Sequence, residues 1–180
     1  MNIRRTRIIG AATTGLIAAL AFTGLSAATA TAAPAKAKTP KIVTCTPGNT
    51  KTVLSRVSRP VNHLLIKTTN TGKSPCYAYG APLIGFDHPQ STVWIVQSEP
   101  QAVVTLEPGQ SAYAGIRTSD ASGEGEGGHW SKEMSLNFQG RDMAGSVGST
   151  AFPAVPSKTW VDDSAAVSYW QTTSAAALTW

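Results

Sequence analysis

Between residues 42 and 160 no stretch holds a helical hydrophobic period. Segments of four to eight residues, rich in Val, Ile, Thr and aromatics, recur instead between Gly, Pro and Asn clusters, and this spacing restricts the chain to short strands. The expected strands are Ile42–Thr46, Thr52–Val57, His63–Thr69, Cys76–Tyr79, Leu83–Asp87, Thr92–Gln97, Ala102–Leu106, Ser111–Arg117, Met134–Phe138 and Ala165–Gln171. Leu64 and Ile66 share one face and Leu65 and Lys67 the other; Met134, Leu136 and Phe138 alternate with Ser135, Asn137 and Gln139. Period-two alternation means one buried and one wet face, so the expected class is all-β, an antiparallel β-sandwich.

Two blocks set the strand reversals. In Asn70-Thr71-Gly72 the expected role is tolerance of positive φ. In Glu107-Pro108-Gly109-Gln110, Pro fixes φ at the first corner and Gly accepts positive φ at the second. Ser122 to His129, with four glycines, reads as a flexible loop, and Ala144 to Ser157, with two prolines, as irregular. Asp162 to Trp170 fits a strand slightly better than a short capped helix.

The start of the chain lies outside this pattern. Arg4, Arg5 and Arg7 precede an uncharged, mildly apolar run from Ile8 to Leu25, and Ala28-Thr29-Ala30 and Ala30-Thr31-Ala32 offer cleavage sites. Residues 1–32 therefore read as a secretory signal peptide, suited to general secretion better than to a twin-arginine route, and not as a membrane anchor. Residues 33–41 read as a flexible linker and 42–180 as one domain. With no cysteine near the cleavage region and no hydrophobic tail, the mature protein is expected to be released, extracellular and free of the membrane.

The formal charge of +5 comes from 15 basic and 10 acidic residues; without the three leader arginines the balance is 12 to 10. The remaining basic residues are scattered and lack interleaved aromatics, which argues against nucleic acid. Two cysteines in an exported chain point to a Cys45–Cys76 disulfide, with free thiols or metal ligation as the alternatives. Closing a loop of this size would constrain the unfolded chain by roughly 3–4 kcal/mol.

No catalytic set stands out. Serines are plentiful but no G-x-S-x-G elbow occurs, and His63, His88 and His129 sit in unrelated contexts. Glu124, Glu126 and His129 are close in sequence, yet their Gly-rich loop would lose much entropy on binding and matches no calcium-loop spacing, so neither metal nor cofactor is expected. Asp162-Asp163 reads as a solvated turn and not as a glycosidase pair. The five tryptophans are the remaining candidates. Trp94 is expected in the core; Trp130 and Trp180 flank flexible segments, are expected to be exposed, and are the possible ligand contacts.

The blocks Asn70 to Pro82 and Thr105 to Ala112, with Cys45 upstream, resemble the actinobacterial exported proteins of domain-of-unknown-function family 4232. The resemblance is good over Ile42 to Ala114 and looser beyond. It implies an exported, immunoglobulin-like sandwich and no catalytic residues. A second cysteine pair that many members hold is missing here, which leaves the C-terminal third less constrained. The expected function is a monomeric, non-catalytic binding protein for an unknown extracellular or cell-envelope partner. A secreted hydrolase with a cryptic site and a sugar-binding module using exposed Trp are the alternatives.

Overall fold

Alternating apolar residues become twelve strands and one short helix among the described residues, 43–87, 93–96 and 103–180 of a computed structural model. The expected signal peptide, the linker, Ile42 and His88 lie outside these residues. The first strands are β1 (Val43–Thr44), β2 (Thr50–Arg56), β3 (His63–Asn70) and β4 (Cys76–Phe86). They are followed by β5 (Trp94–Ile95), β6 (Val103–Leu106), β7 (Ser111–Arg117) and β8 (His129–Ser131). The last are β9 (Met134–Gln139), β10 (Ser146–Ala151), β11 (Thr159–Val161) and β12 (Ala166–Val167), before helix α1 (Ser174–Ala177).

One five-stranded sheet runs β1-β4-β9-β10, with β6 also paired to β4; the other runs β2-β3-β7-β12-β5; β8 and β11 form a separate two-stranded ribbon. The expectation of a purely antiparallel arrangement is corrected at two edges, where β1–β4 and β12–β5 pair in parallel. The two large sheets share one core: Leu54, Leu64, Ile66 and Ile116 from one meet Ile84, Leu106, Leu136 and Phe138 from the other. Leu64 and Ile66 are buried as the alternation requires, and so are Met134, Leu136 and Phe138. Trp170 is fully buried and stacks on Phe138, with ring centroids 5.5 Å apart.

Register gives this core two ends. Asn70 lies opposite Thr50, Thr69 opposite Ser111 and Cys76 opposite Leu106 at one end, while His63 lies opposite Arg117 and Phe86 opposite Met134 at the other. At the first end the Cys45–Cys76 disulfide is formed, with Cα atoms 5.0 Å apart, and Cys45 N donates to Tyr77 O at 2.8 Å. Gly109 has φ of 84° and Gln110 N donates to Glu107 O at 2.9 Å, the Pro-Gly turn expected.

The other turn works differently from its expected role. Neither Asn70 nor Gly72 has positive φ. Asn70 is buried, and its amide nitrogen donates to Ser74 O at 2.9 Å and Leu106 O at 2.8 Å, while its oxygen accepts from Gly72 N at 2.8 Å. Its own N–H and C=O bond Gln110 and Gly109. The residue is needed for its amide, which satisfies buried backbone groups that would otherwise be orphaned.

Three further expectations are corrected. The Gly80-Ala81-Pro82 interruption does not end a strand: β4 runs through it as a bulge, with Gly80 at φ 55° and a register shift between Tyr79 and Leu83. Ala144 to Ser157 is only partly irregular, because β10 pairs with β9 there. Ala165 to Gln171 holds only the two-residue β12 and a single Gln171–Tyr113 bridge, and the helix falls after it, capped by the Thr173 hydroxyl on Ala176 N.

Candidate functional site

The ribbon at the Phe86–Arg117 end is built from two triplets, His129-Trp130-Ser131 and Thr159-Trp160-Val161, with Trp130 directly opposite Trp160. Alternation turns Ser131 inward and Trp130 outward. Trp130 is 60% exposed and Trp160 40%, and their rings meet edge to face at 5.1 Å and 74°. A Cβ on Gly128 would lie 2.3 Å from the Trp160 indole, so only glycine lets the loop lie over that ring.

The same loop is tied to the Asp162-Asp163 turn. Asp163 Oδ1 accepts from Glu126 N at 2.8 Å, and Asp163 N donates to Glu126 O at 3.1 Å. Asp162 Oδ1 accepts from Ser164 N at 3.0 Å and from Ser164 Oγ at 2.5 Å. The Gly-rich segment is thus irregular but anchored, and its last residue before Trp130, His129, is already strand. The two aspartates serve as loop clamps, each with one oxygen committed to a backbone amide.

Asp87 closes the other side of the ribbon. Its Oδ1 accepts from Lys132 N and Glu133 N, both at 3.1 Å, and its Oδ2 lies 3.0 Å from His129 Nε2. Burial raises the Asp87 pKa, but hydrogen bonds from Ser131, the two backbone amides and His129 outweigh it, so the carboxyl sits below its ordinary 3.8. Ser131 Oγ donates to Glu133 O at 3.1 Å. A histidine, a carboxylate and a serine therefore do meet here, but the carboxylate lies between the other two, where a general base would have to stand, and it also accepts from two backbone amides.

The ribbon separates two hollows. One, of about 300 Å³, is lined by Trp94, Glu126, His129, Asp162 and Asp163 among others. The other, of about 800 Å³, is lined by Trp130, Lys132, Val155, Pro156 and Lys158, with Ser131 and Ser157. Arg56 fixes the far wall of the larger one: its Nη2 donates to Ser157 O at 3.0 Å and Lys158 O at 3.1 Å. Thr159 Oγ1 closes the same turn on Pro156 O at 2.7 Å.

Of the residues singled out in the sequence, Trp130 lies exposed on this ribbon. Trp180 is half-buried elsewhere: its Nε1 donates to Ala177 O at 3.0 Å, and its ring packs on His63 and under the Arg117 guanidinium. Trp94, expected in the core, is 77% exposed, because the two-residue β5 at the sheet edge leaves its ring uncovered. Glu124, Glu126 and His129 form no metal-binding group, and no cluster of three or more ligating side chains occurs among the described residues. No helix among the described residues is long and apolar enough to cross a membrane. Sequence reasoning missed Trp160, Lys132, Lys158 and Asp87. Both triplets carry β-formers beside turn residues, which could have marked them as strands, but nothing local marks them as partners.

No curated protein and no solved structure matches the chain. A family model does, over residues 45–171, a span that holds the disulfide, both turn blocks and the whole ribbon. The chain belongs to the family described as Domain of unknown function (DUF4232).

Proposed function

We propose that this protein is an exported, non-catalytic, immunoglobulin-like β-sandwich that binds an extracellular or cell-envelope partner through the Trp130–Trp160 ribbon. The observation that carries this reading is the exposed, edge-to-face tryptophan pair beside an 800 Å³ hollow. Exposed indoles on a rigid support combine a large contact area with little entropy to lose on binding. The support here is rigid for identifiable reasons: Gly128 under Trp160, the Asp163–Glu126 backbone pair, and Arg56 behind the wall.

A hydrolase is the weaker reading. The His129–Asp87–Ser131 arrangement spends one carboxylate oxygen on backbone amides and sets the carboxylate, not the imidazole, beside the serine. A flat platform built from both rings is disfavoured, since Trp130 and Trp160 stand at 74° and offer no common plane; a single ring remains available to stack.

Co-sedimentation of the folded protein with isolated envelope from the producing cell tests the proposal. Trp130→Ala and Trp160→Ala should lose sedimentation, and Val53→Ala, at an exposed site on β2, should retain it. Ester or glycoside hydrolysis abolished by His129→Ala would support the enzyme reading instead.

A further inference from the structure

The hollow beside Trp130 carries a charge pattern that narrows its ligand, an inference that rests on the ribbon being the binding site. Two lysines, Lys132 and Lys158, line it, and among the described residues no acidic one does. Neither lysine has a carboxylate within ion-pair distance among the described residues; the ion pair found there joins His129 to Asp87, whose other oxygen accepts from the Lys132 backbone. Lys132 also lines an adjoining, smaller hollow, together with Glu133, Phe152 and Pro153. The acidic residues of this end, Glu126, Asp162 and Asp163, line the hollow across the ribbon. The two hollows thus differ in the charge of their lining, and the basic one holds the more exposed ring of the pair.

Lys158 also sits at φ of 60°, a region that favours glycine, in a turn held by Arg56 and Thr159. A lysine there stands on a wall whose backbone Arg56 and Thr159 hold by hydrogen bonds. An indole face next to two fixed-wall cations matches a ring with apolar C–H faces and an attached anion.

We infer that the Trp130–Lys132–Lys158 groove binds an anionic saccharide, a sugar bearing a carboxylate or a phosphate. The sugar face stacks on Trp130, and the anion sits between the two ammonium groups. The volume lies within the range of sites for ligands of this size.

Tryptophan-fluorescence titrations at low ionic strength with trigalacturonate, mannose 6-phosphate and neutral galactotriose test it. One anionic probe should bind at least about tenfold more tightly than galactotriose, and which one binds identifies carboxylate or phosphate as the anion recognised. Added salt should weaken that binding. Trp130→Ala should abolish it, the pair Lys132→Glu and Lys158→Glu should reduce it roughly tenfold or more, and Lys51→Glu, on β2, should leave it unchanged. The milder pair Lys132→Gln and Lys158→Gln, with the circular-dichroism couplet of Trp130 and Trp160 as a check of fold, should reduce binding to a smaller extent. Equal binding of galactotriose, no binding of either anionic probe, or an equal loss in Lys51→Glu would overturn the inference. Envelope sedimentation lost in Trp130→Ala but kept in the lysine pairs would overturn the anion preference alone and leave the binding reading standing. Sedimentation unaffected by Trp130→Ala would overturn both.

Discussion

The two ends of the core solve opposite problems. At the Asn70–Cys76 end, polar groups are turned inward and used up: the buried Asn70 amide bonds Ser74, Leu106 and Gly72, and a disulfide crosses to the segment after β1. At the Trp130–Asp162 end the backbone is pinned just as closely, by Asp87, Asp163 and Arg56, but the side chains left over face outward: three exposed tryptophans and two lysines without an acidic partner among the described residues. The lesson is that anchoring through backbone amides leaves large side chains free for display, whereas anchoring through buried side chains does not. Anchoring by buried side chains and display of exposed ones thereby fall at different ends of one core.

The comparison can be broken first at the covalent end. Replacing Cys45 and Cys76 together by Ser should cost about 3–4 kcal/mol in denaturant unfolding while the Trp130–Trp160 couplet survives in the folded protein. Loss of the couplet under native conditions would show that the ends are not independent. Asn70→Leu should come next, at roughly 2–3 kcal/mol, because Ser74 O, Leu106 O and Gly72 N would all lose a partner in a buried setting. A cost near zero would mean that water replaces the amide.

At the other end the expected effects are smaller in stability and larger in signal. Gly128→Ala forces a Cβ against the Trp160 ring, so it should cost about 1 kcal/mol and change the couplet strongly. An unchanged couplet would refute the packing described. Asp87 titrates below its ordinary value, so its contribution is present above about pH 4 and is lost as pH falls through the lowered value. Asp87→Asn should flatten the acid limb of stability by about 1 kcal/mol, read as urea midpoints between neutral and acid pH. Lys158→Gly should have the smallest effect and the opposite sign. Relief of the left-handed backbone outweighs the added freedom of the unfolded glycine, for a gain of about 0.5 kcal/mol. The same change should weaken binding of an anionic saccharide in the groove. A variant both more stable and equally tight in binding would remove Lys158 from the site.

Much of the fold was legible before the structure. The faces of β3 and β9 follow from alternation, because side chains two residues apart must share a face. The Pro108–Gly109 turn follows from the φ preferences of its two residues, and the disulfide from cysteine number in an exported reading. Asn70 shows the limit of such reasoning. It stands at the strand reversal as expected, but as the last residue of β3 and for its amide, since a buried amide and a positive φ leave the same letter in the sequence. Trp94 shows another limit: alternation says which residues share a face, not whether anything covers that face at the edge of a sheet.

What the sequence by itself determined is therefore local: strand periods, the Pro-Gly reversal and the cysteine pair. Each depends on residues a few positions apart or on a count. The tertiary structure alone decided that His129–Ser131 pairs with Thr159–Val161, that two tryptophans far apart in the chain meet edge to face, and that Glu126, Asp162 and Asp163 line one hollow while Lys132 and Lys158 line another. The physical reason is that each triplet is too short to specify a partner. The pairing is imposed by the packing that surrounds it: Gly128 against Trp160, Asp163 on Glu126, and Arg56 behind Ser157 and Lys158.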